Sequence, residues 1–309
     1  MSLTENYKSF ISGNLEKAEF IRKNYETTFK ALFDVSSYLS QTEIKKVELS
    51  DGDVIMTYQS GMRLACERDE YRTAPLETLN FLKYEDAEVS VFNKLLVGKK
   101  NFYDIGGNIG FYAINAALLN PQMKVKTFEP VPKMFATLTK NIALNQLSTR
   151  IDARNLGFSD QEGTVSFFIY PFGGTNASMV NVSESKEAQE VKARITRLDD
   201  FIAQGNPSPD IIKCDVEGAE KLVLNGSLET IKRHRPVLFF ELLRKWSAKF
   251  NYHPNEVLEI LRSLGYECFV PHEGKLSSFG SMDEHTLETN FFFLHPESHA
   301  GHLKELVKS

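Results

Sequence analysis

Asn101-Phe102-Tyr103-Asp104-Ile105-Gly106-Gly107-Asn108-Ile109-Gly110-Phe111-Tyr112 decides how the rest of the chain is read. A short apolar run at 102–105 ends in glycines, and 109–119 is rich in apolar and helix-forming residues. That order, strand then glycine turn then helix, opens a nucleotide-binding α/β domain. Glycines are required because the chain turns sharply there and a ligand approaches the backbone, where a Cβ would intrude. The helix start directs unpaired N–H groups at whatever lies over the turn. A dinucleotide loop of the form G-x-G-x-x-G needs Gly at 108 and Gly or Ala at 111, where this chain has Asn108 and Phe111. Asp104 would also repel a pyrophosphate, so a cationic ligand fits better.

Downstream, Lys124-Val125-Lys126-Thr127-Phe128-Glu129 reads as a second strand tipped by an acid, followed by Pro130 and a helix over 133–144 that Pro132 can start. An acid about 20 residues past a glycine loop can accept hydrogen bonds from both ribose hydroxyls of a nucleotide. A third strand is expected at 151–156 and an added strand at 164–170. A polar loop at 171–178 could act as a lid or touch a second substrate, and 191–195 reads as a further strand. The second dense block is Pro209-Asp210-Ile211-Ile212-Lys213-Cys214-Asp215-Val216-Glu217-Gly218-Ala219-Glu220: a strand ending at Asp215, then a helix. Pro236-Val237-Leu238-Phe239-Phe240-Glu241 repeats the device of an acid at a strand tip. Strands at 266–270 and 289–294 complete the sheet, and His253 reads as a surface histidine before Pro254.

Upstream, 85–96 reads as a helix leading into the first core strand. Residues 4–40 have apolar positions at helix-like intervals, and 46–66 looks like a small β-meander turning at Asp51-Gly52. The expected organisation is an α+β extension over 1–84 and a catalytic domain over 85–309, with the extension serving packing or oligomerisation rather than recognition.

Composition narrows the classes. There are 36 basic and 41 acidic residues, for a net charge of −5 and a pI near 5.9, so no basic excess calls for a nucleic-acid partner. The three cysteines, Cys66, Cys214 and Cys268, are widely spaced, which suits a reducing compartment and no zinc site. Neither a signal peptide nor an apolar run of the roughly 18–20 residues needed to span a bilayer is visible. A cytoplasmic protein is expected.

Asp104-Ile105-Gly106-Gly107-Asn108-Ile109-Gly110 is similar to the first motif of class I S-adenosylmethionine (SAM) methyltransferases. Together with Ile211-Ile212-Lys213-Cys214-Asp215-Val216-Glu217-Gly218-Ala219-Glu220, it resembles the FkbM family of those enzymes. Phe128-Glu129-Pro130, Val223-Leu224-Asn225-Gly226 and the run ending at Glu241 match as well, so the likeness covers roughly residues 85 to 295. Gly107 stands where that family more often has Ala, a mild departure expected to leave binding intact.

The resemblance implies a Rossmann-like, doubly wound, seven-stranded sheet with an antiparallel last strand. It implies SAM as cofactor and O-methylation of a hydroxyl on a sugar, glycan or other natural product. It places Asp104, Gly106, Gly107, Asn108, Gly110 and Phe111 around the donor's amino acid end, with Glu129 and Pro130 at the ribose. Asp215 is expected to face the reactive methyl and accept the proton, with Glu217 and Glu241 beside it.

The same acids, Asp215 and Glu241 with Glu217, could share a divalent ion, and oxygen ligands favour Mg²⁺ or Ca²⁺ over zinc. The chain supplies no compelling further ligand, so no metal is expected. The competing readings are a catalytically silent SAM-binding scaffold whose N-terminal unit recruits a partner, and an NAD-type oxidoreductase, which the loop and the acidic strand tip disfavour; under any of them a homo-oligomer is possible. A nucleic-acid N-methyltransferase is weaker still, because Asp215-Val216-Glu217-Gly218 stands where an N/D-P-P-Y/F motif would be.

Overall fold

The computed structural model describes residues 2–68, 70–169, 178–180 and 188–307. The expected loop at 171–178 therefore lies outside the described residues, apart from Ser178. In chain order the strands are β1 (Ile44–Ser50), β2 (Asp53–Tyr58), β3 (Arg63–Cys66), β4 (Asn101–Ile105), β5 (Lys124–Phe128), β6 (Ile151–Arg154) and β7 (Gly157–Phe158). They continue with β8 (Gly163–Ile169), β9 (Gln189–Thr196), β10 (Ile211–Cys214), β11 (Val237–Glu241), β12 (Glu267–His272), β13 (Lys275–Ser278) and β14 (Asn290–Leu294).

The central sheet has eight strands in the order β13-β12-β14-β11-β10-β4-β5-β6. The expected seven is corrected by β13, which a tight hairpin adds antiparallel to β12. Glu273 and Gly274 make that hairpin with φ +50° and +69°, the backbone of a two-residue turn that usually reads Asn-Gly. β4, β5, β6, β10 and β11 run parallel, and β14 enters antiparallel between β11 and β12. The expected strands at 164–170 and 191–195 do not join this sheet; β7, β9 and β8 form a separate three-stranded one.

Alternate residues of the central strands feed opposite faces. Phe102, Val125, Ile211 and Phe239 pack in one buried cluster with residues of the helices Asp86–Leu95, Phe111–Leu119 and Pro132–Leu144. Tyr103, Phe128, Ile212 and Phe240 pack in another with residues of Leu198–Ala203, Glu220–Asn225 and Pro254–Ser263. A sheet covered by helices on both faces needs near-continuous apolar strands, which the fully buried β10 and β14 show. Strand order reverses between β4 and β10, and in such sheets ligands bind at that switch, outside the carboxyl ends of the strands.

The N-terminal region adds the β1-β2-β3 meander, turned at Asp51 and Gly52 as expected. Ahead of it lies a helical arm, Leu3–Ile11 and Lys17–Asn24, the latter running through one π turn into Lys30–Tyr38. Asn6 and Asn24 pair in the arm's interior at 2.7 Å, while Tyr7, Ile21, Phe29 and Phe33 are exposed. The apolar core continues across residue 84: Ile44, Tyr58, Leu64 and Ala74 belong to the same cluster as Phe92, Phe111 and Leu138. Buried Asn141 ties the two parts together, accepting from the Ala65 N–H and donating to the Ile109 carbonyl, both at 2.8 Å. No helix among the described residues is long and apolar enough to cross a membrane.

Asn141→Ala would leave two buried backbone groups unpaired, so it is expected to lower unfolding free energy by about 2–4 kcal/mol in urea titration. Asn80→Ala, which removes only an exposed amide bonded to the Leu76 carbonyl, should stay within about 0.5 kcal/mol of the parent.

Candidate active site

Three loops leave the strand tips at the switch point and touch one another. After β4, the Gly106 and Gly107 N–H groups both donate to the Phe128 carbonyl at 3.0 Å, fastening the glycine turn to β5. Gly106 has φ +80°, and a Cβ there would lie 1.8 Å from the Asp215 carbonyl oxygen, so this turn and the one after β10 are in backbone contact. A Cβ on Gly107 would meet Thr127 Oγ1 at 2.0 Å. The departure at 107 is thus matched to a β-branched neighbour whose χ1 has little freedom.

Glu129 lies just beyond β5 and is buried. Its two carboxylate oxygens accept from the Asn108 and Val131 N–H groups, each at 2.9 Å. It therefore braces the glycine turn against the start of the next helix, a task sequence spacing did not suggest. Burial lifts its pKa to about 7 against those two N–H groups. Gly110, with φ +94°, forms the N-terminal cap of Phe111–Leu119 and packs towards Leu138 and Ile114.

Two adjoining cavities share Gly106, Asn108, Asp215 and Glu217. One is largely apolar, closed by Glu129, Pro130, Phe158, Phe167, Met179 and Val216. The other takes in Asp104, Gly107, Phe111 and Glu241 and is rimmed by acids. Of the expected site residues, the structure brings all but Gly110 to these two cavities.

The acid-rimmed cavity contains what the sequence reading missed. Lys213, in β10, is buried, with Nζ 2.9 Å from Asp215 Oδ2 and 4.9 Å from the centre of the Tyr112 ring. Burial works against its charge, but Asp215, Asp104 and Glu85 overcome that and raise its pKa. Burial also works against the Asp215 carboxylate. Lys213 and a hydrogen bond with Glu241 prevail and hold Asp215 below the usual range.

Its neighbours go the other way. Burial, then the charge of Asp215, raises Glu217 and Glu241 well above the ordinary carboxyl value. Asp104 is lifted to about 6 by burial in spite of Lys213, and its Oδ1 has no hydrogen-bond partner among the described residues. The signal that could have found Lys213 is a cation inside an otherwise apolar buried strand. Glu85, bonded to Tyr112 Oη, was not legible because residues far apart in sequence create its setting.

The N-terminal region supplies the facing wall through Arg72, Thr73, Glu77 and Tyr84. Arg72 pairs with Glu77 at 3.6 Å, and Thr73 Oγ1 is buried with no hydrogen-bond partner among the described residues. His253 is exposed and caps Pro254–Ser263, its Nδ1 accepting from the Asn255 N–H at 3.2 Å. Carboxylate oxygens of Asp215, Glu217 and Glu241 lie within 4.8 Å of one another, the only such acidic or metal-type group among the described residues.

The family model described as the methyltransferase FkbM domain matches residues 104–268, more than half of the 309 residues. The chain belongs to the FkbM methyltransferase family. Methyltransferase sdnD of Sordaria araneosa is 29% identical over 151 residues, 40% of this chain and 58% of that protein. The 31-O-demethyl-FK506 methyltransferase FkbM of Streptomyces tacrolimicus is 28% identical over 40% of this chain and 58% of its own length. Hexuronic acid methyltransferase AglP of Haloferax volcanii is 28% identical over 42% and 51%. The chain thus spans a little over half the length of these relatives. The crystal structure of Methyltransferase FkbM from Methylobacillus flagellatus shares 18% identity and a TM-score of 0.41, covering 63% of this chain and 43% of that one.

Two expectations follow from the charges. Lys213→Met leaves buried Asp104 and half-buried Asp215 without their cation and should cost about 1–3 kcal/mol of stability at pH 7, less than a fully buried pair because Asp215 keeps contact with solvent. Protonating those acids relieves the penalty, so the gap to the parent should narrow in denaturation curves taken at pH 5.5.

The parent protein should lose stability against a Glu129→Gln variant as pH rises from about 4.5 to about 7, a comparison that cancels the histidines, of which His299 is held down to about 3 and works the other way. Glu129 and Glu220, both raised to about 7 by burial, bind protons in the folded state that the unfolded chain has already released. Their contribution is complete below the ordinary carboxyl pKa and is lost as pH climbs through the folded values, by about 1.4 kcal/mol per pH unit for each proton held. A gap to the variant that stays flat or widens in the parent's favour over that window would contradict the assignment of Glu129.

Proposed function

We propose that the protein is a SAM-dependent O-methyltransferase acting on a hydroxyl of a sugar, glycan or other small natural product. The observation that carries this is the charge of the cavity. Glu77, Glu85, Asp104, Asp215, Glu217 and Glu241 line it beside Arg72 and Lys213, and with Glu217 and Glu241 set aside as raised acids the other four still outnumber the two cations. A pyrophosphate would be repelled there, whereas a sulfonium with an ammonium would be welcome. The residues fit SAM on independent grounds: Asp104 Oδ1 is buried and unpartnered among the described residues, and the apolar cavity over Phe158 and Val216 suits a nucleoside. The Streptomyces relative is named for 31-O-demethyl-FK506, which supports an oxygen acceptor, and the Haloferax relative for a hexuronic acid, which supports a sugar.

Bound in this cleft, SAM would supply a sulfonium methyl for in-line displacement. The protein's task is to align the acceptor oxygen and take its proton. Asp104, the glycine turn and Asn108 would hold the amino acid end, with Glu129 and Pro130 at the ribose. A carboxylate held low by Lys213 is a weak base alone, so we assign the proton to the hydrogen-bonded pair of Asp215 and Glu241 jointly. Glu217 lies beside that pair. Lys213 already supplies the local cation, which favours a proton-sharing pair over a bound divalent ion. The enzyme is built of two units, 1–84 and 85–309, the first contributing the acceptor-side wall, and it acts in the cytoplasm.

Calorimetric titration with SAM, S-adenosylhomocysteine and NAD, then a screen of sugar acceptors including a hexuronic acid, tests the reading. SAM should bind and NAD should not. Asp215→Asn should retain SAM binding within about tenfold while turnover falls roughly 10²–10⁴-fold, the usual worth of a positioned base. Full turnover in that variant would remove the pair's role. SAM binding without turnover in the parent on any acceptor would favour a silent scaffold. Exhaustive chelation should leave turnover unchanged.

A further inference from the structure

The turn that presents Asp215 and Glu217 has a backbone that must be held. Glu217 has φ +55° and Gly218 φ +101°, and a non-glycine residue in the left-handed region persists only where its surroundings impose it. Gly218 is also tightly enclosed: a Cβ there would lie 2.9 Å from the Trp246 backbone and from the Phe250 ring.

Two side chains outside both cavities do the holding. Glu220, 1% exposed, accepts through Oε1 from the Val216 and Gly218 N–H groups, each at 3.1 Å, and so satisfies the donors on either side of Glu217. Tyr252 comes from the segment after β11 and is also buried. Its Oη lies 3.1 Å from Glu220 Oε2 and 3.0 Å from the Gly218 carbonyl oxygen. Ser178 Oγ donates to the Glu217 carbonyl at 2.9 Å and steadies the turn from the opposite side.

We propose that Glu220 and Tyr252 are positioning residues, a buried clamp that sets the Asp215–Glu217 turn against the methyl donor without touching it. This rests on the SAM reading above.

The hydrogen bonds allow two arrangements. With Glu220 ionised, the single Tyr252 hydroxyl proton goes to Oε2. With Glu220 protonated, its O–H donates to Tyr252 Oη, and Tyr252 donates to the Gly218 carbonyl. Both arrangements keep Oε1 on the two N–H groups, so the clamp survives either state of a carboxyl that burial lifts to about 7. Glutamine reproduces the second arrangement: its carbonyl accepts the two N–H groups and its amide donates to Tyr252. Alanine does neither.

A merely structural role would weaken all ligands alike, whereas a clamp on the acidic turn acts on the donor's charge. SAM carries one more positive charge than S-adenosylhomocysteine, so the ratio of their affinities reports where the carboxylates sit. With the full chain, calorimetry using both compounds, alongside thermal melts, compares the parent with Glu220→Ala, Glu220→Gln and Tyr252→Phe. In Glu220→Ala the SAM dissociation constant should rise about tenfold more than that of S-adenosylhomocysteine. Glu220→Gln should remain within about twofold of the parent ratio, and Tyr252→Phe should shift it about threefold in the direction of alanine.

Equal weakening of both ligands in Glu220→Ala, or a glutamine variant as impaired as alanine, overturns the clamp. If Glu220→Ala does not fold, Tyr252→Phe decides: an unchanged ratio there overturns it. A parent protein that binds neither compound refutes the SAM reading itself, before any variant is made.

Discussion

The site depends on one buried ammonium. Lys213 sits in a strand otherwise made of Ile211, Ile212 and Cys214, and its burial is favourable only because Asp215, Asp104 and Glu85 surround it. The converse matters as much. Without that cation, Asp215 would compete with Glu217 and Glu241 for the same protons, and the three could not be told apart. With it, Asp215 is held below the usual carboxyl range while burial and the charge of Asp215 lift its two neighbours well above it. Surroundings that drive the pKa values of neighbouring acids apart give those acids different roles in one pocket.

The second constraint is steric. The Asp215 carbonyl approaches Gly106 so closely that no side chain fits between them, and the Asp215 N–H donates to the Ile105 carbonyl at 3.0 Å. The glycine turn and the acidic turn are therefore one mechanical unit. Glu129 braces one half, and Glu220 with Tyr252 braces the other. Carboxyl groups recur in these braces because one such group can accept two backbone N–H groups, through both oxygens in Glu129 and through Oε1 alone in Glu220, which a loop with left-handed residues needs.

Much of this was legible in the letters. The strand–glycine–helix order placed the cleft, and acids at the tips of successive strands placed Glu129, Asp215 and Glu241. The β13 hairpin was missed because Glu-Gly is a weaker turn signal than Asn-Gly. Lys213 was visible as a charged residue in an apolar strand, but its partners Glu85 and Asp104 come from other elements, so its role could not be read locally. Glu220 stood inside the quoted block and still gave no hint of its task. A side chain that bonds the backbone two and four residues upstream leaves no periodic trace.

The N-terminal region shows the same limit with a different consequence. Its meander and aromatic residues read as packing, and Tyr58 and Tyr84 do pack on Phe111. Yet the connection from the meander to the first core helix passes across the mouth of the acidic cavity. Leu82 and Glu85 both take left-handed backbone there, with φ +69° and +44°, and Glu85 is anchored to Tyr112. Because Glu85 is also one of the charges that stabilise Lys213, the wall and the strand tips share an electrostatic centre. A change in the wall would then be felt at Asp215 through Lys213, as well as by whatever the wall contacts directly. Residues 72–85 lie outside the span matched by the family model, so this wall of the cleft is built by a part of the chain that the matched strand tips do not specify.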